Sequence, residues 1–255
     1  MLGVTLVAGA AVGQVDGDIQ VSVTNEGNSD FFLTPTWFAF QDGSFDFFDV
    51  GSPASASLEA IAEDGVVDGL VNDFMNSGVP GNIQGVAANA DGFGGAPVID
   101  PGETATAFVT PINTAGYQYF SFASMLIPTN DTFIGNDNPL AYRVFDDNGD
   151  ILGAGGVVTI QIFGADLWDA GTEVNDGLGA PFSVAGGTAT DEFGVVTSGP
   201  DLSAYIGLDT PAGTTILNTI DSGELLATIQ ISIVPAPSTA AILGLAGLGM
   251  MRRKR

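Results

Sequence analysis

Alternation of apolar and polar residues is the main pattern along this chain, and it predicts β-strands. Segments 19–24, 104–110 and 119–125 alternate with a period of two, which is typical of half-buried strands. Further strands are predicted at 141–145, 157–163 and 225–233, between connections rich in Gly, Asn, Asp and Pro. The run Asp146-Asp147-Asn148-Gly149-Asp150 predicts a hairpin turn.

One segment has helical spacing instead. Ser52-Pro53 offers an N-cap and a first-turn proline, and apolar residues follow at intervals of three and four up to Phe74. The pattern predicts one or two short helices between 53 and 77, with Gly65 separating them. Segments 78–102 and 177–211 are rich in Gly and Pro and are predicted to be long loops.

These elements together predict an all-β fold: an antiparallel β-sandwich with one or two short inserted helices and long acidic loops at one end. The length fits one domain, and 45% hydrophobic residues suffice for one core. Trp37 and Trp168 are expected to pack in that core rather than to serve as sugar-stacking platforms.

The charge is strongly one-sided. Thirty acidic residues are present against five basic ones, and four of the five basic residues are the last four of the chain. Arg143 is therefore the only base in residues 1–251, so binding to nucleic acid is excluded. Abundant hard oxygen ligands predict that divalent cations supply the missing positive charge.

The chain contains no His and no Cys. This excludes histidine-based triads, cysteine nucleophiles, zinc sites built on thiolate or imidazole, and disulfides. Catalysis could only use carboxylates, hydroxyls or a metal. A carboxylate-based polysaccharide hydrolase therefore stays open as an alternative, although no motif identifies the pair of acids it needs.

The C-terminus has three parts: a proline-flanked motif, an apolar run at 239–251 and a basic cluster. This order resembles the PEP-CTERM sorting signal of Gram-negative bacteria, the substrate of the membrane protease exosortase, although Ala236 stands where that motif has Glu. The matching residues are Pro235, Pro237, Ser238, Thr239, Arg252, Arg253, Lys254 and Arg255. Thirteen apolar residues form a hydrophobic helix of only about 20 Å, so transient insertion and cleavage is favoured over a permanent anchor.

Residues 1–15 resemble a secretory signal peptide without its positively charged start. Met1 to Val12 is apolar and contains Ala8-Gly9-Ala10, and the alternative is a buried first strand. Together with the C-terminal signal at 235–255, this predicts export, an intermediate at the inner membrane, and a final location at the cell surface or in the extracellular matrix.

Four segments between 16 and 234 resemble the spondin N-terminal domain, a module of secreted adhesion proteins. They are 32–40, 48–65, 120–135 and 168–173, and they include Ser124-Met125-Leu126-Ile127-Pro128 and Asp169-Ala170-Gly171-Thr172. The resemblance implies a C2-like β-sandwich that binds calcium. It also implies that the ligands are Glu103, Asp131 and Asp169. Asp137 and Glu173 are neighbouring carboxylates that are expected to join these ligands or to lie behind them.

Carboxylates gathered at loop edges repel one another unless a cation joins them, which agrees with a calcium site. The expected function is a non-enzymatic calcium-binding adhesion or extracellular-matrix module. Its expected partners are exosortase, and an extracellular polysaccharide or a surface protein as ligand. A calcium-dependent structural surface protein is the second alternative, beside the hydrolase.

Overall fold

The computed structural model describes residues 17–89, 96–111, 113–181, 183–184, 186–187 and 189–235. The predicted signal peptide, and the apolar and basic parts of the predicted sorting signal, lie outside the described residues. Within the described ranges, no helix is long and apolar enough to span a membrane.

Two antiparallel sheets form the body of the protein, as the alternating pattern predicts. The strands are β1 (Gly17–Asn25), β2 (Phe32–Leu33), β3 (Thr36–Gln41), β4 (Ile83–Ala87), β5 (Thr104–Val109), β6 (Tyr119–Ile127), β7 (Thr132–Gly135), β8 (Val157–Phe163), β9 (Leu167–Asp169), β10 (Thr197–Ser198) and β11 (Leu225–Pro235). The helices are α1 (Ala56–Asp64) and α2 (Asp68–Asn76). The all-β sandwich is thereby confirmed.

The first sheet has the order β5-β1-β11-β8. It contains four of the predicted strands, and β1 pairs with β11 without interruption from Gly17 opposite Pro235 to Asn25 opposite Ala227. Ile19, Val21 and Val23 are fully buried on the inner side of this sheet. Because side chains alternate along a strand, the polar residues between them lie on the outer side.

The second sheet has the order β10-β9-β7-β6-β3-β4, with β2 beside β6. Every residue of β3 is buried, so this strand lacks the polar half of an alternating pattern and was not among the predicted strands. β4 lies inside 78–102, where a loop was predicted, because it pairs along β3. The predicted strand at 141–145 is wrong: the segment makes only isolated bridges at Arg143 and Phe145.

Aromatic rings fill the space around β3. Trp37 is fully buried and meets Phe45, Phe47 and Phe74 edge to face. Trp168 is partly buried against the same core, and its indole N–H donates to the backbone oxygen of Gly135 at 2.9 Å. The prediction of a core position is confirmed for Trp37, while Trp168 packs against the core from a partly buried position.

Both predicted helices are present, and they place one acidic side chain near the strand ends. The N-cap of α1 is Ser55 rather than Ser52, and its hydroxyl accepts from the N–H of Leu58 at 3.2 Å. Gly65 ends α1 in the left-handed conformation with φ 66°, as its predicted separating role requires. α1 packs against β6 and β7, which brings Glu63 beside the 170–173 loop.

Candidate functional site

A tight turn between β6 and β7 positions Asp131. The hydroxyl of Thr129 donates to the backbone oxygen of Leu126 and accepts from the N–H of Thr132 at 3.1 Å. These bonds close the chain on itself directly after β6. Residues 129–132 are all polar, and all four are completely buried.

Only one of the two carboxylate oxygens of Asp131 accepts hydrogen bonds. Its Oδ2 accepts from the N–H groups of Thr172 at 2.8 Å and Glu173 at 3.1 Å, and from the Thr172 hydroxyl at 3.3 Å. Its Oδ1 is buried and has no hydrogen-bond partner. Burial, helped by the charge of Asp169, raises the pKa of Asp131 to about 6.

Asp169 ends β9 next to Asp131. It pairs with Thr132 across the strands, and the N–H of Ala170 donates to the backbone oxygen of Asp131 at 3.2 Å. Its carboxylate accepts from the N–H of Gly171 and from the side chain of Asn175, both at 2.8 Å. Asp169 is therefore a partly exposed and hydrogen-bonded neighbour of a buried carboxylate.

Glu173 is the second buried carboxylate of the site. Only 2% of this residue is exposed, and neither Oε1 nor Oε2 has a hydrogen bond of normal geometry. Burial and the nearby charge of Glu63 raise the pKa of Glu173 to about 7, a rise that the side chain of Asn130 opposes. Asp131 and Glu173 together present three buried carboxylate oxygens that make no hydrogen bond of normal geometry.

Tyr205 connects the site to a second group of polar residues. Its fully buried hydroxyl accepts from the N–H of Asn130 at 3.1 Å and lies within hydrogen-bond distance of the side-chain oxygens of Asn130 and Asn175. Burial raises the pKa of Tyr205. Because Asn175 also donates to Asp169, one network links Asp169 and Asn130, the residue before Asp131, to the 202–205 turn.

Two of the predicted site residues lie in other surroundings. Glu103 stands before β5, where its carboxylate accepts from the side chain of Asn89 and from the N–H of Asp100. Asp137 accepts from the N–H of Val50 at 2.9 Å. None of these hydrogen bonds involves Asp131, Asp169 or Glu173. The structure thus groups three of the five predicted residues and leaves Glu103 and Asp137 apart.

No group of three acidic side chains close enough to hold a metal ion occurs in the residues that the structure describes. The donor chemistry nevertheless fits a hard cation at Asp131 and Glu173, since their three bare oxygens are buried carboxylate oxygens. No base competes for them, because Arg143 is the only basic residue in the described ranges and it pairs with Asp147.

Two cavities open beside these residues. One has a volume of about 470 Å³ and is lined by residues that include Asp169, Asn175 and Glu192. The other, of about 210 Å³, includes Thr172, Asp191 and Phe193 in its lining. Phe193 is 88% exposed and adopts a left-handed backbone conformation with φ 59°.

Four further residues of the site were not predicted to belong to it. Glu63 and Asn130 lie inside the segments 48–65 and 120–135 without being named as site residues, Asn175 lies in a loop, and Tyr205 ends the 202–205 turn. Only the tertiary fold shows that they meet. No protein-family model matches the sequence, and no curated protein is significantly similar to it.

Proposed function

We propose that this chain is an exported, calcium-binding, non-enzymatic adhesion or matrix module of a bacterial cell surface. The observation that supports the calcium part is the set of three buried, unpartnered carboxylate oxygens on Asp131 and Glu173. The resemblance of segments in 16–234 to a secreted adhesion domain supports the proposed role in adhesion or in the matrix. The resemblance of 235–255 to a sorting signal supports the proposed export.

Burying a carboxylate without a partner is costly, and two such groups in one place cost more because they repel. A calcium ion removes both costs, since it takes six to eight oxygen ligands and brings two positive charges. Asp131 and Glu173 would hold it, with Asp169 beside them and water or amide oxygens completing the shell. The ion would supply positive charge that joins the β6–β7 turn to the 170–173 loop.

Calcium also has a wider effect in this protein. Thirty acidic residues repel one another, and the described ranges contain a single base to offset them. A ligand that binds the folded state stabilises it in proportion to the logarithm of its concentration. The module would therefore be most stable in calcium-containing surroundings outside the cell.

The calcium proposal is tested by thermal unfolding of the full chain in excess calcium and in chelator. We expect a saturable rise in Tm with calcium, and a binding isotherm that magnesium at the same concentration reproduces only weakly. Equal Tm values in calcium and in chelator would overturn it.

The export route is tested separately. We expect mass spectrometry of chain recovered from cells with exosortase to show loss of the C-terminal segment, and recovery of the uncut chain from cells without the protease. An intact C-terminus in both cells would leave the calcium proposal standing and remove the sorting proposal.

The larger cavity favours one second candidate. Asp169 and Glu192 line the same 470 Å³ space, and a glycoside hydrolase needs two carboxylates facing its substrate. Turnover of a polysaccharide that is lost in Glu192→Gln, with Tm unchanged, would establish this activity.

A purely structural surface protein would instead assemble as calcium is added, which analytical ultracentrifugation detects.

A further inference from the structure

The outer face of the four-stranded sheet carries a regular array of uncharged polar side chains. Pairing of β5, β1, β11 and β8 aligns its residues in rows that cross all four strands. One row consists of Thr106, Ser22, Gln230 and Thr159.

The neighbouring row has the same character. It consists of Thr104, Thr24, Thr228 and Gln161. A third row places a Gln and a Ser between two apolar residues, one of which is Phe108. The three rows thus contain ten hydroxyl or amide side chains and no charge.

The absence of charge on these rows contrasts with the rest of the chain. Thirty of the 255 residues are acidic, and solvent-facing strand positions accept charged side chains readily. Asp18, on the outer side of β1 beyond the third row, accepts a hydrogen bond from the hydroxyl of Thr110 at 2.7 Å. The face is therefore a neutral surface on a strongly acidic protein.

The array is also regular and partly fixed in place. Neighbouring strands lie about 4.8 Å apart, and residues on the same face of one strand are spaced about 6.6 Å apart. The hydroxyls of Ser22 and Thr106 lie 3.0 Å apart, and those of Thr24 and Thr104 lie 2.8 Å apart, so these side chains are ordered before any ligand arrives. Gln161 and Gln230 are exposed and remain available to donate and accept.

We infer that this face binds a neutral, hydroxyl-rich polysaccharide. Sugar hydroxyls both donate and accept hydrogen bonds, as do the Ser, Thr and Gln side chains of the array. Phe108 is 59% exposed at the edge strand β5, where its ring can pack on the apolar face of a pyranose. An anionic polysaccharide gains nothing here, because the face offers no base and the protein repels it.

This inference names the class of ligand for the proposed matrix function. That a polysaccharide is the natural ligand rests on the proposed function. It does not use the carboxylates of the candidate calcium site. The two proposals therefore fail separately when binding is measured both in calcium and in chelator.

The experiment is co-sedimentation of the purified full chain with microcrystalline cellulose, a neutral insoluble polysaccharide, in calcium and in chelator. We expect the chain to sediment with cellulose in at least one of the two buffers. Gln230→Glu places one charge at the centre of the array with almost no change in shape, and we expect it to weaken binding about tenfold. Adding Gln161→Glu should weaken binding further.

The matched control is Asn72→Asp, which adds one charge on the exposed side of α2 and should bind as the unmodified chain does. Three results would overturn the inference. They are no sedimentation with cellulose in either buffer, equal binding of Gln230→Glu and the unmodified chain, and a dimer in solution that Gln230→Glu separates. The last result would assign the face to a second copy of this chain.

Discussion

The backbone N–H of Glu173 donates to Oδ2 of Asp131 at 3.1 Å, so one buried acidic residue supports the carboxylate of another. This bond fixes the 170–173 loop against the β6–β7 turn, while the side chain of Glu173 makes no hydrogen bond of normal geometry. Any change that neutralises one carboxylate also lowers the electrostatic repulsion acting on the other, because the two charges interact. Binding a proton, binding a cation, or replacing one carboxylate with an amide should therefore each lower the same repulsion between the two side chains.

Glu173→Gln is expected to change stability in opposite directions in the two buffers. In chelator the substitution removes a buried, unpartnered carboxylate, so the Tm should rise. In calcium it removes a ligand, so the rise in Tm that calcium produces should shrink or disappear. Differential scanning calorimetry of the full chain measures both.

The control for this variant is Asp73→Asn, on the exposed side of α2, which removes one negative charge at a distance from the site. It should leave the calcium-dependent rise in Tm intact. A calcium response in Glu173→Gln equal to that of Asp73→Asn would show that calcium does not use Glu173.

Asp131 and Asp169 were expected at one site from their places in segments 120–135 and 168–173, and Glu173 was expected as their neighbour. The positions of these segments in a β-sandwich then place their ends together. Glu103 was expected in the same group, but its carboxylate is taken up by Asn89 and the turn at Asp100, before β5 in the other sheet. A sequence segment can predict the loop in which a residue lies. Which loops come into contact depends on the packing of the whole fold, which leaves no pattern in any one segment.

The unfolding free energy in chelator should fall as the pH rises from about 4 to about 7. Folding raises the pKa of Asp131 from 3.8 to about 6 and that of Glu173 from 4.5 to about 7. In this window the unfolded chain has already lost protons that the folded chain still holds. Unfolding then releases protons, so stability falls by up to about 1.4 kcal/mol per pH unit for each group and becomes level above pH 7.

The double variant Asp131→Asn/Glu173→Gln isolates this effect from the general repulsion among the other acidic residues. Urea denaturation at a series of pH values should give a clearly shallower fall for the variant than for the unmodified chain. Parallel curves for the two proteins would mean that these carboxylates do not hold their protons in the folded state.

Alternation predicted β1, β5 and β6, and β8 and β11 were predicted as further strands between turn-rich connections. β1 and β5 show the expected contrast between polar outer and apolar inner residues, whereas β6 was expected to be half-buried and is buried on both sides except at Tyr119. β3 lacks this contrast, since Thr36 and Gln41 are as buried as the aromatic residues between them. β4 contains a glycine and belongs to a Gly-rich region, and only its pairing with β3 makes it a strand.

Gly65→Ala should destabilise the protein more than Gly78→Ala. Both glycines have a left-handed backbone, with φ values of 66° and 86°, so alanine is strained at each by about 1 kcal/mol. A methyl group at Gly65 would also stand 2.5 Å from Cγ2 of Thr34, whereas nothing lies within 4 Å at Gly78. We expect Gly65→Ala to cost at least about 1 kcal/mol more in urea denaturation. Equal losses would show that Thr34 moves aside freely.

Tyr205→Phe should destabilise the protein by about 1 to 3 kcal/mol while leaving its calcium response in place. The ring stays in the core, but the buried N–H of Asn130 loses its acceptor, and the oxygens of Asn130 and Asn175 lose the hydroxyl they share. None of the three bare oxygens of Asp131 and Glu173 is changed, so calcium should still raise the Tm. Tyr142→Phe is the matched control, because that partly buried ring packs against the core beside Phe122. A loss no larger for Tyr205→Phe than for Tyr142→Phe, measured by urea denaturation, would show that this hydroxyl does not hold the Asp131 turn.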